Sequence, residues 1–157
     1  MPADHKHQPR DCNCFAVRQA ARHVTQFYDR HLAPIGLTAS QWSILARLKR
    51  LGPMTINALA AELVMDRTTL GRNIQPLERQ GFIEIRPGVT DRRMKVLHLT
   101  PAGAAQVRAG VKRWAMAQDR FEAAFGAKRS SELRQLLRTL VATELGSSES
   151  AAQPRAS

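Results

Sequence analysis

A mainly α-helical fold with one small β-hairpin is predicted by three features of this 157-residue chain. Residues 55 to 99 read as a helix, a second helix with one polar face, and two short β-branched segments joined by an arginine-rich tip. Long amphipathic helical stretches flank that block on both sides. No internal repeat supplies a second copy of it. The order helix, helix, strand, loop, strand is the layout of a winged helix-turn-helix with a β-hairpin wing. The expected division is a disordered tail at 1–10, an N-terminal dimerisation helix at 11–35, the winged module at 36–100, C-terminal dimerisation helices at 101–145, and a second disordered tail at 146–157.

Taken in order, the first helix runs roughly from Asn13 to His31 and offers Val17, Ala21, Val24 and Tyr28 for packing. Pro34 and Gly36 interrupt it, and Thr38 with Gln41 forms a T-x-x-Q capping box before Trp42 to Leu51. Thr55 is an N-cap for the apolar run Ile56 to Met65, and Asp66 caps the next helix. There Leu70, Ile74 and Leu77 share one face at the i, i+4, i+7 spacing, while Thr68, Arg72, Gln75 and Arg79 fall on the other. Pro76 cannot donate the helical bond to Arg72, which predicts a kink. Gly81 ends the run, Phe82 to Arg86 reads as a strand, Pro87 and Gly88 break it, and Lys95 to Leu99 returns as its partner. Thr100 and Pro101 open the next helix at N-cap and N1. One C-terminal stripe comprises Val107, Val111, Trp114, Phe121 and Phe125; after Gly126 a second comprises Leu133, Leu136, Leu137, Leu140 and Val141. Packing within the chain and packing on a second subunit both account for these stripes.

The polar face of the helix after Asp66 points to double-stranded DNA. Arg67, Thr68, Thr69, Arg72 and Asn73 crowd its N-terminal half, with Gln75 beyond, and that half of a recognition helix meets base edges in the major groove. The arginine fork matches two acceptors of guanine, and Asn does the same for adenine; a good pair supplies roughly 1–3 kcal/mol of discrimination. At the hairpin tip Arg92 and Arg93 suit a narrow minor groove or phosphates, whereas phosphate repels Asp91, whose expected role is to orient an arginine. A solvated helix face and an ordinary charged hairpin tip give the same patterns.

The segments GLTASQWSIL (36–45), LAAELVMDRTTLGRNIQPLERQGFIE (59–84) and DRRMKVLHLTPAG (91–103) resemble the MarR family of bacterial transcription regulators, and the likeness spans most of residues 12 to 145. The D-x-R of Asp91 and Arg93, followed by a strand and T-P-x-G, is the most specific part. The resemblance implies an obligate homodimer, a pseudo-palindromic operator, and repression relieved by a small molecule or an oxidant.

Composition agrees. The length suits one domain with a single core, 43% of residues are hydrophobic, and no uninterrupted apolar run reaches membrane length. The net charge of +11 favours a polyanion, through counterion release at each neutralised phosphate. RNA, membranes and heparin-like polymers share that attraction, and the basic residues are spread beyond the proposed reading head. No n-region with an apolar h-region opens the chain, and two cysteines are too few for a disulfide framework, so a reducing cytoplasm is expected.

Sensing has two candidate centres. Trp42 offers an effector cavity a large apolar surface and one N–H donor, though a plain core tryptophan is the favoured reading. The family's response to phenolic acids suggests Arg18 and Arg47 as partners for an aromatic carboxylate there; both also read as surface charge. Cys14 sits at a helix N-terminus, where the peptide dipoles favour the thiolate. With Phe15, Ala16 and Tyr28 it resembles the organic-hydroperoxide-sensing branch of the family, from which the chain departs at Ala39, where a second tyrosine is expected. Fourteen residues of helix rise about 21 Å, so Tyr28 would reach Cys14 only from a second subunit. A Cys12–Cys14 disulfide requires the first turn to unwind, because i and i+2 point to nearly opposite sides. Inert thiols are the simpler alternative. His5, His7, Cys12 and Cys14 provide four possible zinc ligands, but C-x-C and H-x-H lack the spacing of common structural sites, and no metal or cofactor is expected.

No G-x-S-x-G, P-loop, H-E-x-x-H or Gly-rich dinucleotide turn is present, which argues against an enzyme. Two classes remain: an effector-controlled repressor, which is favoured, and a constitutive DNA-organising protein.

Overall fold

The computed structural model describes residues 11–145; the two terminal tails and His5 and His7 lie outside them. The described chain forms two compact units that divide at Ala117/Gln118.

In the first unit, helix α1 spans Asn13–Leu32, a single 3₁₀ turn follows at Ala33–Ile35, and α2 spans Ala39–Leu51. Gly36 takes the left-handed conformation (φ 71°) that ends the 3₁₀ turn. Thr38 and Gln41 then form the reciprocal capping box expected from their spacing. Asp29 braces the corner, its Oδ1 accepting from the Ala39 N–H at 2.7 Å. The Ile35 carbonyl accepts from the Gln106 side chain.

Strand β1 (Met54–Thr55) leads into α3 (Ile56–Glu62), and Thr55 caps α3 by accepting from the Ala58 N–H at 3.1 Å. Helix α3 is shorter than the apolar run suggested. It stops at Glu62, and Val64 turns into positive φ (49°) before Asp66 starts α4 (Arg67–Arg79). Pro76 does not end α4: Leu77 is fully buried with Leu70 and Ile74, and the Gln80 N–H reaches back to the Pro76 carbonyl.

Strands β2 (Ile83–Pro87) and β3 (Lys95–Leu99) form the hairpin, and β1 pairs on the far side of β3, giving the antiparallel order β1-β3-β2. Pro87 is the last paired residue of β2, opposite Lys95, rather than the breaker; Gly88 begins the tip. The core joins Ile44, Leu45 and Leu48 of α2, Leu59 of α3, the three α4 residues, Ile83, Leu97 and Val107. Helices pack on one another and on one sheet face, so α4 is held on its apolar side only.

Helix α5 (Pro101–Phe125) begins at the predicted Thr100 cap. The Thr100 hydroxyl also donates to the Gly81 carbonyl at 2.6 Å. A Cβ on Gly103 would lie 2.0 Å from the Phe82 carbonyl oxygen, so the T-P-x-G segment places bare backbone against backbone.

In the second unit Gly126 (φ 98°) separates the end of α5 from α6 (Ala127–Ala142). Arg134 donates to Glu122 at 3.0 Å, and this bond with one from Gln118 holds the Glu122 carboxyl below its ordinary pKa. Leu136, Leu137, Leu140 and Val141 are exposed along α6.

Candidate nucleic-acid interface

The polar side of α4 is solvent-facing, as its periodicity requires. Arg67, Thr68, Thr69, Arg72 and Gln75 are exposed, and Asn73 is half-buried. Asp66 accepts from the Thr69 N–H at 2.8 Å and from the Thr69 hydroxyl at 2.6 Å. Those bonds, the hydroxyl first, hold the Asp66 carboxyl below its ordinary value. The Asn73 amide donates to the Thr69 carbonyl at 2.9 Å, so bidentate reading of adenine by Asn73 requires that bond to open. Arg67 and Arg72 face solvent at the start of the helix, where the peptide dipoles also favour an anion.

Arg67, Arg93 and Lys95 line one groove of about 320 Å³, with Thr55 and Asn57 from the start of α3. Three cationic side chains from separate elements thus meet in one concavity. Asn57 and Lys95 were not among the sequence candidates; their signal is weak, since one is a polar residue in the first turn of α3 and the other an exposed lysine opening β3.

In the wing, Asp91 Oδ1 accepts from the Arg93 N–H at 2.9 Å, so it orients this arginine through its backbone. The Gly88 N–H donates to the Met94 carbonyl at 2.7 Å, and the Met94 N–H to the Asp91 carbonyl at 3.1 Å. Arg92 lies at the tip with Arg86 and the fully exposed Val89. Below the tip, along β2, Arg86 pairs with Glu84.

The proposed sensory residues separate. Trp42 lines a cavity of about 220 Å³ with Val24 and Tyr28 of α1, Ala39 of α2 and Trp114 of α5. Trp42 and Trp114 stack with ring centroids 5.8 Å apart, and Trp42 Nε1, which has no hydrogen-bond partner, abuts Gly110. Neither Arg18 nor Arg47 lines this cavity: Arg18 is exposed on α1, and Arg47 pairs with Glu62 at 3.3 Å. By its spacing Trp114 belongs to the first C-terminal apolar stripe. Its place beside Trp42 is a long-range contact that the i, i+4 step from Gly110 only hints at.

Cys12 is the cap of α1, and Cys14 lies at its N-terminus as its position predicts. The Cys12 Sγ accepts from the Phe15 N–H at 3.4 Å, Cys14 follows in the first turn, and both thiols are exposed. Tyr28 stands in the same continuous helix, its ring 5.6 Å from that of Phe27. Among the described residues no group of three or more His, Cys, Asp or Glu side chains comes together, and no helix is long and apolar enough to cross a membrane.

A capped helix presenting arginines beside a three-stranded wing defines the winged helix-turn-helix class. The sequence pattern of the MarR family matches residues 37–95, from the α1–α2 corner to the wing. The chain is 34% identical to the Mycobacterium tuberculosis transcriptional regulator MosR, solved in complex with DNA, covering 83% of this chain and 97% of that one with a TM-score of 0.71. A probable transcriptional regulator from Pseudomonas aeruginosa is 28% identical over 85% of this chain and 99% of its own, with a TM-score of 0.75. An uncharacterised HTH-type transcriptional regulator of Bacillus subtilis, YwoH, is 37% identical over 54% of this chain and 61% of its own length. Matches to the curated relatives span 53% to 62% of those proteins' lengths. The chain belongs to the MarR family of transcriptional regulators.

Proposed function

We propose that the chain is a cytoplasmic, sequence-specific repressor that binds a pseudo-palindromic operator as a homodimer. The observation that carries the reading is the groove in which Arg67 of α4 meets Arg93 and Lys95 of the wing. In this reading Arg67, Thr68, Thr69, Arg72, Asn73 and Gln75 face the major groove. Arg92 and Arg93 hold the adjacent minor groove or phosphates, and Asp91 fixes the turn that aims them. Two such heads about 34 Å apart meet successive major grooves of one operator. Exposed apolar residues at both ends of the chain, Phe15 and Val17 in α1 and four in α6, support a second subunit as the cover of those faces. The DNA complex solved for the Mycobacterium relative supports the choice of partner.

Release is assigned to a small aromatic ligand at the Trp42 cavity, or to oxidation of Cys12 and Cys14. The position of Cys12 favours the second route: a disulfide to Cys14 removes the sulfur that caps α1. An organic hydroperoxide supplies the oxidising equivalents, the two thiols lose two hydrogens, and the peroxide leaves as alcohol and water.

The test is fluorescence anisotropy with the DNA flanking the protein's own gene, at fixed salt. A preference of a thousandfold or more over random DNA supports the repressor; uniform, salt-sensitive affinity instead indicates a DNA-organising protein. Binding lost to peroxide and restored by thiol assigns release to the cysteines, and binding indifferent to peroxide assigns it to the cavity.

A further inference from the structure

We propose that Met94 is a modification site: a peroxide oxidises its thioether to the sulfoxide, and the sulfoxide weakens DNA binding by a route independent of the two cysteines. The inference rests on the reading of the Arg67, Arg93 and Lys95 groove as a DNA-contacting surface, and it adds a regulation to that groove.

Access sets the candidates. Of the five methionines, Met1 lies outside the described residues, and Met54 and Met65 are half-buried against the core. Met94 and Met116 are equally exposed, at 45% and 46%. Position separates these two. Met94 lines the groove with Arg67 of α4 and with its own neighbours Arg93 and Lys95, whereas Met116 stands on α5 outside it.

The main chain fixes Met94 in that place. Its carbonyl accepts from the Gly88 N–H at 2.7 Å and its N–H donates to the Asp91 carbonyl at 3.1 Å, so both ends of the residue are tied into the tip of the wing. Asp91 also accepts from the Arg93 N–H at 2.9 Å, which ties the preceding residue to the same turn.

The neighbours supply the consequence. Among the described residues, none of Arg67, Arg93 and Lys95 is paired with a carboxylate, and all three side chains are donors only. A thioether is a weak acceptor and leaves those donors to a phosphate. Oxidation makes the side chain polar, with an oxygen that accepts hydrogen bonds. In the step the peroxide transfers one oxygen atom to sulfur: the O–O bond breaks, an S–O bond forms, sulfur loses two electrons, and the peroxide leaves as water or an alcohol. The new oxygen takes charge-assisted bonds from the cations and occupies space that a phosphate needs, so the contacts of this groove with DNA weaken.

The test uses the full chain carrying Cys12→Ser and Cys14→Ser, which removes the thiol route. It is treated with hydrogen peroxide until peptide mass mapping shows Met94 sulfoxide, and anisotropy is then measured on the DNA flanking the protein's own gene. Affinity is expected to fall about tenfold or more, the scale of one lost charge-assisted contact. It is expected to return after treatment with the two methionine sulfoxide reductases, one for each epimer. Met94→Leu, a volume-conserving exchange, should abolish the peroxide effect, and Met116→Leu should leave it intact, each variant being compared with its own untreated form. Met94 sulfoxide with unchanged affinity overturns the proposal. So does a loss that persists in the Met94→Leu protein, or oxidation of Met116 while Met94 stays reduced. Untreated protein that binds the flanking DNA no better than random DNA sinks the sequence-specific repressor, and the peroxide effect is then read on that uniform affinity. A specific binder indifferent to Met94 oxidation sinks the Met94 site alone, and absence of binding to any DNA sinks both.

Discussion

Asp66 binds Thr69 through both carboxylate oxygens, at 2.8 Å to the N–H and 2.6 Å to the hydroxyl, so one side chain starts α4 and fixes a residue on its solvent-facing side. The bonds favour the charged form and hold its pKa below the ordinary 3.8. A depressed carboxyl pKa stabilises the fold fully above the unfolded value, and that stability is lost as pH falls through the folded value. Asp66→Asn is therefore expected to unfold more easily than the parent near pH 6, with the difference shrinking below about pH 4. Urea titrations at the two pH values check this; a gap independent of pH contradicts it.

Caps such as Asp66, Thr55 and Thr38 with Gln41 are legible because each is a bond between residues three apart, encoded within one turn. Leu70, Ile74 and Leu77 are legible for the same reason: helical period alone puts them on one face. Strand β1 was not, because two residues carry no period and Met54 is a strand only through its pairing with Leu97. The early end of α3 was hidden in a continuous apolar run, where Val64 turns through positive φ without a glycine to announce it. Of the α4 and wing candidates, Arg67 and Arg93 share a groove with Asn57 and Lys95, and that meeting depends on tertiary packing. The same limit separated Trp42 from Arg47 and brought it Trp114.

Arg72 and Arg93 are expected to fail differently. If Arg72 reads a base edge as proposed, Arg72→Ala should narrow the gap between operator and mismatched DNA by about 1–3 kcal/mol. If Arg93 holds a phosphate or the minor groove as proposed, Arg93→Ala should weaken all sequences alike, lowering the slope of log affinity against log salt by about 1. Anisotropy titrations over a salt series on matched and mutated operators distinguish the two. Identical profiles would remove the division of labour between helix and wing.

Gly103 and Gly110 are both close-approach positions, against partners of different stiffness. A Cβ at Gly103 meets the Phe82 carbonyl oxygen at 2.0 Å, whereas at Gly110 it meets Trp42 Nε1 at 2.0 Å. Overpacking costs typically about 1–3 kcal/mol, and main chain yields less readily than a side chain. Gly103→Ala is expected at or above the top of that range and Gly110→Ala lower, with a shift in tryptophan emission in the second only. Denaturant midpoints and emission spectra of the two variants test both parts.

The exposed residues of α6 provide the test of the dimer. Leu136 is 68% exposed and Leu140 is 40% exposed, so charging them removes little buried surface from the isolated chain. If they form the seam with a second subunit, Leu136→Glu combined with Leu140→Glu places four carboxylates in a desolvated interface, two from each copy. Sedimentation equilibrium should then show a monomer that retains helical far-UV signal. Operator affinity should fall by a hundredfold or more, because a single head loses the second half-site. An unchanged dimer would locate the subunit interface elsewhere in the chain. A monomer with full operator affinity would detach DNA recognition from dimerisation.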